Sequence, residues 1–268
     1  MARFAVARFA VDKLLKVVAP PFALAVVVGV TWQMLVQIRD IPPILLPSPV
    51  RVGQAFWNDA SSLLSASSFT AIAALCGLLA SSVVGFVIAV LFSQSSILRR
   101  SSYPYAIYLQ TAPVVAIAPL LATWLGEGFL AIVVVVFIIS LFPIITNATD
   151  GLLAVPKDLQ ELFRLNNATR WQTLTQLLIP NALPRILTGV KISSAMVILG
   201  ATVGEYFVGS FSTANTGLGH VIFKANSLMQ IDKLFAATIL CTILSVLIFY
   251  SVSGLSRLLV WWEDTQER

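Results

Sequence analysis

Charge is what this sequence has least of. Asp, Glu, Lys and Arg make up 11% of its 268 residues, against about 25% in an ordinary soluble domain, and 58% of the chain is hydrophobic. With a mean hydropathy of +0.90, the chain belongs in a bilayer rather than in water. Cysteine is nearly missing. Cys76 and Cys241 both lie in apolar runs, where a thiol serves as a small apolar side chain, so neither a disulfide framework nor a metal site is expected. A single histidine, His220, and scattered acidic residues offer no metal-ligand spacing and no nucleophile beside a base. No Gly-rich phosphate loop occurs either, so the chain is not expected to hydrolyse nucleotide itself. No catalytic residue, cofactor or metal is assigned to it, and an enzyme is not expected.

Long apolar runs, by contrast, abound. About 18 or more apolar residues cross the roughly 30 Å of bilayer hydrocarbon as helix, and six such runs are predicted, at about 17–36, 70–92, 103–124, 129–145, 186–208 and 234–255. The fourth is rich in Val and Ile but too long for a strand, which rarely passes about 10 residues. The first follows Arg3, Arg8, Lys13 and Lys16 as a cleaved signal would. It exceeds the roughly 7–15 residues of a signal core, however, and no small-x-small cleavage site follows it. The reading is an all-α polytopic membrane protein: an amino-terminal segment 1–16, one membrane domain 17–258, and a tail 259–268.

Basic residues gather on the cytoplasmic side of membrane proteins. With the amino terminus inside, thirteen of the seventeen Lys and Arg fall on that side; only Arg39, Arg51, Lys224 and Lys233 face outward. Both termini, the Arg99–Arg100 turn and the segment 150–185 are therefore expected in the cytoplasm. The formal charge of +5 needs no nucleic acid to explain it.

The segment 150–185 is a polar insert between two apolar runs. Pro156 and Asp158 suit a helix start, and Leu159, Leu162 and Phe163 recur at helical spacing on one face. Asn166 and Asn167 suit a left-handed stop. Thr169 and Gln172 have the spacing of a capping box for a second helix, which carries Trp171, Leu174 and Leu178 on one side and ends before Pro180. The elbow between the two helices, 166–170, reads as a docking element. The alternative is an amphipathic loop lying on lipid, for which two turns of apolar face are little.

Glu161-Leu-Phe, three residues, Asn167, nine residues, Leu177-Leu-Ile-Pro180 resembles the EAA loop of ATP-binding cassette importer permeases, whose pattern is E-A-A, three residues, G, nine residues, I-x-L-P. Leu162 and Phe163 replace the alanines and Asn167 the glycine; asparagine can supply the same turn, while the bulkier Leu-Phe pair implies an altered groove or a dedicated ATPase partner. The segments IPPILLPSP (41–49), QTAPVVAIAPLLATWLG (110–126), VGEYFVG (203–209) and TGLGHVI (216–222) are similar to the nitrate, sulfonate and taurine branch. That branch also includes permeases for thiamine pyrimidine precursors and riboflavin. The resemblance runs from about residue 32 to 258. It implies a type I importer permease fold of six membrane helices in a bacterial inner membrane. It also implies a second permease copy or a paralogue, two ATPase subunits that bind the ATP, and an extracytoplasmic substrate-binding protein. Glu161, Leu162, Phe163, Arg164, Asn167, Ala168, Thr169 and Arg170 would form the coupling surface against the ATPase.

Within the membrane, Gln110, Thr111 and Pro113 are candidates for the translocation pathway. Pro113 and Pro119 both interrupt the third run, and irregular backbone survives there only against protein or a water-filled cavity. Ordinary kinked packing is the alternative. Glu205, near the outer end of the fifth run, is either a pathway group or a structural one. The turn 216–219 offers an external docking surface or is simply a turn. Two other functions compete: an ion-coupled secondary transporter, for which no midplane charge constellation or inverted repeat is evident, and a membrane scaffold without transport.

Overall fold

The computed structural model describes residues 2–111, 113–126, 128–208 and 216–260, and for 2–18, 22, 106, 109–111 and 208 the backbone alone. Among the described residues every regular element is helical: α1 (Ala2–Ile38), α2 (Pro49–Asn58), α3 (Ala60–Gln94), α4 (Ser96–Thr111), α5 (Val114–Leu125), α6 (Phe129–Leu153), α7 (Lys157–Leu165), α8 (Arg170–Thr173), a π-helical turn (Leu174–Leu178), α9 (Ile179–Ser194), α10 (Val197–Val208), α11 (Leu218–Ser227) and α12 (Ile231–Leu259). They form two compact units: Met1–Ala60 with Ala225–Ala236, and Ser61–Lys224 with Ala237–Arg268.

In the first unit, α1 turns at Asp40, whose φ is 48°, and Ser48 caps α2 by accepting the Arg51 N–H at 3.4 Å, with Pro49 at the helix start. Val36 and Val52 are buried. The rings of Trp32 and Phe235 sit 5.8 Å apart, and Lys233 pairs with Asp59 at 3.1 Å.

The second unit is built around α6. Its core joins Ala73, Ala74 and Leu78 of α3, Ala131, Ile132, Val136 and Ile144 of α6, Val197, Ile198 and Ala201 of α10, and Ile248 of α12. Lipid is as apolar as leucine, so helices associate here through close packing and small residues rather than by escaping water. At Gly189 of α9 a Cβ would stand 2.9 Å from the Pro143 carbonyl of α6. The buried Ser193 hydroxyl, one turn on, donates to the Ser140 carbonyl of α6 at 2.7 Å. Glycine and serine thus set the α6–α9 spacing.

Five stretches among the described residues are long and apolar enough to cross a membrane: Ala19–Ile38, Ala60–Gln94, Phe129–Leu153, Arg170–Phe207 and Ile231–Leu259. The third predicted run, 103–124, is not one helix. It falls across α4 and α5, which meet at Pro113; α5, with 12 residues, rises only about 18 Å. A second difference lies at Pro180, where the sequence predicts a stop. The helix instead continues into α9. Proline has no N–H to return to the carbonyl four residues back; the turn before it widens, the Ile179 N–H reaching the Leu174 carbonyl, and the helix resumes past the ring.

Candidate functional site

The insert between α6 and α9 has the capped shape its residues predict. Pro156 precedes α7, Asp158 lies in the first turn, and the Gln160 side chain donates to the Val155 carbonyl at 3.0 Å. At the far end Asn167 takes φ 55°. Its N–H bonds the Arg164 carbonyl and that of Ala168 bonds the Phe163 carbonyl, both at 3.0 Å. These two bonds are the Schellman pair, which satisfies the last carbonyls of a helix around one left-handed residue. Asn166 adds a third through its side-chain amide, donating to the Leu162 carbonyl at 2.8 Å.

The next helix begins two residues later. Thr169 accepts the Gln172 N–H at 3.2 Å, and the Gln172 side chain accepts the Thr169 N–H at 2.8 Å, a reciprocal capping box. With both helix ends satisfied locally, few backbone states remain open to the elbow 166–170. Leu174 is buried with Ala89 of α3, Ala148 and Leu152 of α6, and Ala182 and Ile186 of α9, and Leu178 packs against them. The second arm of the elbow is therefore continuous with the bundle core. Trp171, predicted on the same side as Leu174, is instead 71% exposed, because the core ends at Leu174 and Trp171 projects one turn beyond it.

No residue of α7 is buried. Leu162 is 52% exposed, Leu159 partly so, and the amphipathic helix has its apolar side uncovered. An open groove of about 910 Å³ runs beside it, lined by Glu161, Arg164, Asn167, Ala168 and Arg170 of the predicted coupling set, together with Gln94 from the end of α3. Leu162, Phe163 and Thr169 flank those residues in sequence without lining the groove. The Glu161 side chain makes no hydrogen bond or ion pair among the described residues, so it does not hold the amides of the elbow.

The pathway candidates are not brought together with these. Gln110 and Thr111 close α4, and their side chains lie outside the described residues. Pro113 stands at the start of α5, exposed. Glu205 is 1% exposed and caps a helix: its Oε2 accepts the Gly219 N–H at 2.8 Å and faces the Thr70 hydroxyl of α3 at 3.0 Å. Thr70 in turn accepts the Leu218 N–H at 2.9 Å. Two of the unpaired amides that open α11 are thus satisfied by side chains of α3 and α10. Gly217 and Gly219 are required by this approach, since a Cβ on Gly217 would fall inside the Glu205 carboxyl group and one on Gly219 against the Thr202 carbonyl. The turn 216–219, read from sequence as turn chemistry or a docking surface, is the packed seat of a buried carboxylate. Thr70 carried no sequence signal for this role; the glycine spacing in TGLG did, as a sign of close approach. His220 follows it, its pKa held below the ordinary histidine value of 6.5 by partial burial and by nearby Lys224.

Residues 77–260 match the model of the family described as binding-protein-dependent transport system inner membrane component. The chain is 31% identical over 241 residues to a probable ABC transporter permease protein of Haemophilus influenzae, covering 90% of this chain and 96% of that one. It is 32% identical over 227 residues to the formylaminopyrimidine transport permease protein ThiX of Halalkalibacterium halodurans (84% and 88% covered). Over 236 residues it is 32% identical to the riboflavin transport system permease protein RibX of Chloroflexus aurantiacus (87% and 86%). Among solved structures, a chain from inward-facing conformations of the MetNI methionine ABC transporter superposes with a TM-score of 0.58 at 20% identity, over 75% of this chain and 96% of that one; the likeness is one of fold. With a spanning helical bundle interrupted by a doubly capped elbow, and with relatives matched over nearly their whole length, this chain belongs to the binding-protein-dependent inner-membrane components, the permeases of ATP-binding cassette importers.

Proposed function

We propose that this chain is the permease subunit of an importer for a small solute of the nitrate, sulfonate and taurine kind or of the thiamine-precursor and riboflavin kind. In this reading it forms the translocation pathway and receives the work of ATP hydrolysis from two ATPase subunits at the coupling segment 161–170. A second permease copy or a paralogue completes the pathway, and an extracytoplasmic binding protein delivers the substrate. Both termini and the insert face the cytoplasm, where thirteen of the seventeen basic residues fall.

The elbow carries this reading. An uncovered apolar face on α7, a fixed left-handed joint at Asn167 and a second arm packed into the core make a lever: a push on α7 reaches α6 and α9 without being absorbed in a loose loop. Glu161, whose side chain has no hydrogen bond or ion pair among the described residues, is available for a contact across the interface.

The test is substrate-stimulated ATPase activity and uptake in reconstituted vesicles, with co-purification of the ATPase as control. Asn167→Gly should keep coupling, since glycine reaches positive φ without cost. Asn167→Val should lose it, because a β-branched residue is strained there, and Glu161→Lys should uncouple hydrolysis from uptake. Full coupling in both Asn167→Val and Glu161→Lys would overturn the assignment and leave α7 as a helix on the lipid surface. Sidedness has its own check: external thiol labelling in intact cells should miss Asn166→Cys and reach Asn226→Cys.

A further inference from the structure

At the end of α6 that leads into the insert, a groove of about 450 Å³ opens between α4 and α6. It is lined by Arg99, Arg100, Tyr103 and Pro104 of α4 and by Thr149, Asp150 and Leu153 of α6. Three observations set it apart. Among the described residues the only ion pair is Lys233–Asp59, so neither Arg99 nor Arg100 is neutralised by a carboxylate at contact distance. Thr149 is 1% exposed and its hydroxyl has no hydrogen-bond partner among the described residues, although a buried hydroxyl without one is costly. A third cation, Arg185 of α9, donates to the Asp150 backbone carbonyl at 3.1 Å. Against Arg99, Arg100 and Arg185 stands, among the described residues of the groove, the one carboxylate of Asp150, a local excess of positive charge.

The same groove has apolar walls, Pro104 and Leu153, and it lies at the end of a helix long enough to span the bilayer. Along α4, Ile107 (44% exposed) stands four residues beyond Tyr103 and seven beyond Arg100, on the helix face that lines the groove, and Tyr103 of the groove wall adds an aromatic ring of the kind found at the headgroup level. A ligand that matches both features carries a compact anion at one end and hydrocarbon at the other. We propose that this groove binds an anionic phospholipid: Arg99 and Arg100 take the headgroup phosphate, the Thr149 hydroxyl donates to it, and the acyl chains lie along α4. Basic pockets between membrane helices hold acidic headgroups by this combination of charge and apolar contact, and arginine suits a phosphate better than lysine does. Placement in the inner leaflet rests on the topology proposed above; the site itself does not.

Native mass spectrometry of the full-length chain, released from mild detergent after incubation with either dioleoyl phosphatidylglycerol or dioleoyl phosphatidylcholine, reads the site without regard to sidedness. The wild-type chain should retain phosphatidylglycerol in preference. Arg99→Gln/Arg100→Gln should lower that retention by about tenfold or more. Thr149→Val, close in volume and so a safeguard against a folding defect in the double variant, should lower it severalfold. Equal retention of the two lipids by the wild type, or undiminished retention of phosphatidylglycerol in both variants, would overturn the proposal. Displacement of the lipid by millimolar inorganic phosphate would overturn it in favour of a soluble anion. Failure of retention sinks the lipid site alone, whereas unexpected labelling of Asn166→Cys from outside sinks the topology alone.

Discussion

Helix ends at two places in this molecule, the elbow and the start of α11, satisfy the same need by opposite means. At the elbow, the close of α7 and the opening of α8 are capped from within: Asn167 returns its amide three residues back, and Thr169 and Gln172 exchange bonds across three positions. At the opening of α11, the amides go to Glu205, 14 residues away, and to Thr70, 148 residues away. One end stands in the open and the other is buried in the bundle. An exposed helix end can borrow water and so tolerates a purely local solution. A buried one must have its partner delivered by another helix, because an orphan amide there costs the full desolvation of the group. Local capping leaves a joint that can move as a piece, whereas long-range capping locks three helices together.

The largest effect expected from breaking this contrast is at Gly219. Gly219→Val drives a side chain into the Thr202 carbonyl and should destabilise the bundle by about 3 kcal/mol or more; the readout is the yield of monodisperse protein in detergent and its melting temperature. Glu205→Leu comes next. It strands the Gly219 amide in an apolar site, for a loss of about 1–3 kcal/mol, while Glu205→Gln keeps an acceptor and should recover most of it in the same melt. If Leu and Gln melt alike, the cap is not what holds α11.

At the elbow the effects are smaller. Thr169→Ala removes half of the capping box and should cost about 1 kcal/mol, seen as faster amide exchange confined to 169–173, with the global melt little changed. A global shift as large as that of Glu205→Leu would erase the distinction between the two ends.

The smallest effect concerns pH at His220. Its folded pKa is held below the ordinary 6.5, so the unfolded chain takes up the proton first as the pH falls. The small stability this residue contributes is present above about pH 6.5 and is lost as the pH drops through the lowered folded value. His220→Gln should flatten that dependence; an unchanged pH profile of the melt would show that burial at this position is incidental.

The elbow was legible in the sequence because every group that shapes it lies within a few residues of its partner. Asn166, Asn167, Thr169 and Gln172 state the stop and the restart on their own, and the spacing from Glu161 to Pro180 carries the family likeness. What escaped was the continuation through Pro180: a π turn trades one hydrogen-bond register for another, and the trade holds because Leu174 and Leu178 pack into the cluster built from α3, α6 and α9. The break at Pro113 was legible as a break, yet its division of the third run into α4 and α5 was not.

Composition and periodicity, then, determined on their own that this chain is an all-helical membrane protein with a polar insert between two spans, because apolar length and charge placement respond to the bilayer, a solvent that imposes the same rule on every segment. Tertiary structure alone decided the seat of Glu205, which helix meets which glycine, and the groove that sets Arg99 and Arg100 beside Thr149. Each of these joins residues a dozen or more positions apart in sequence, and their meeting follows from how the helices pack.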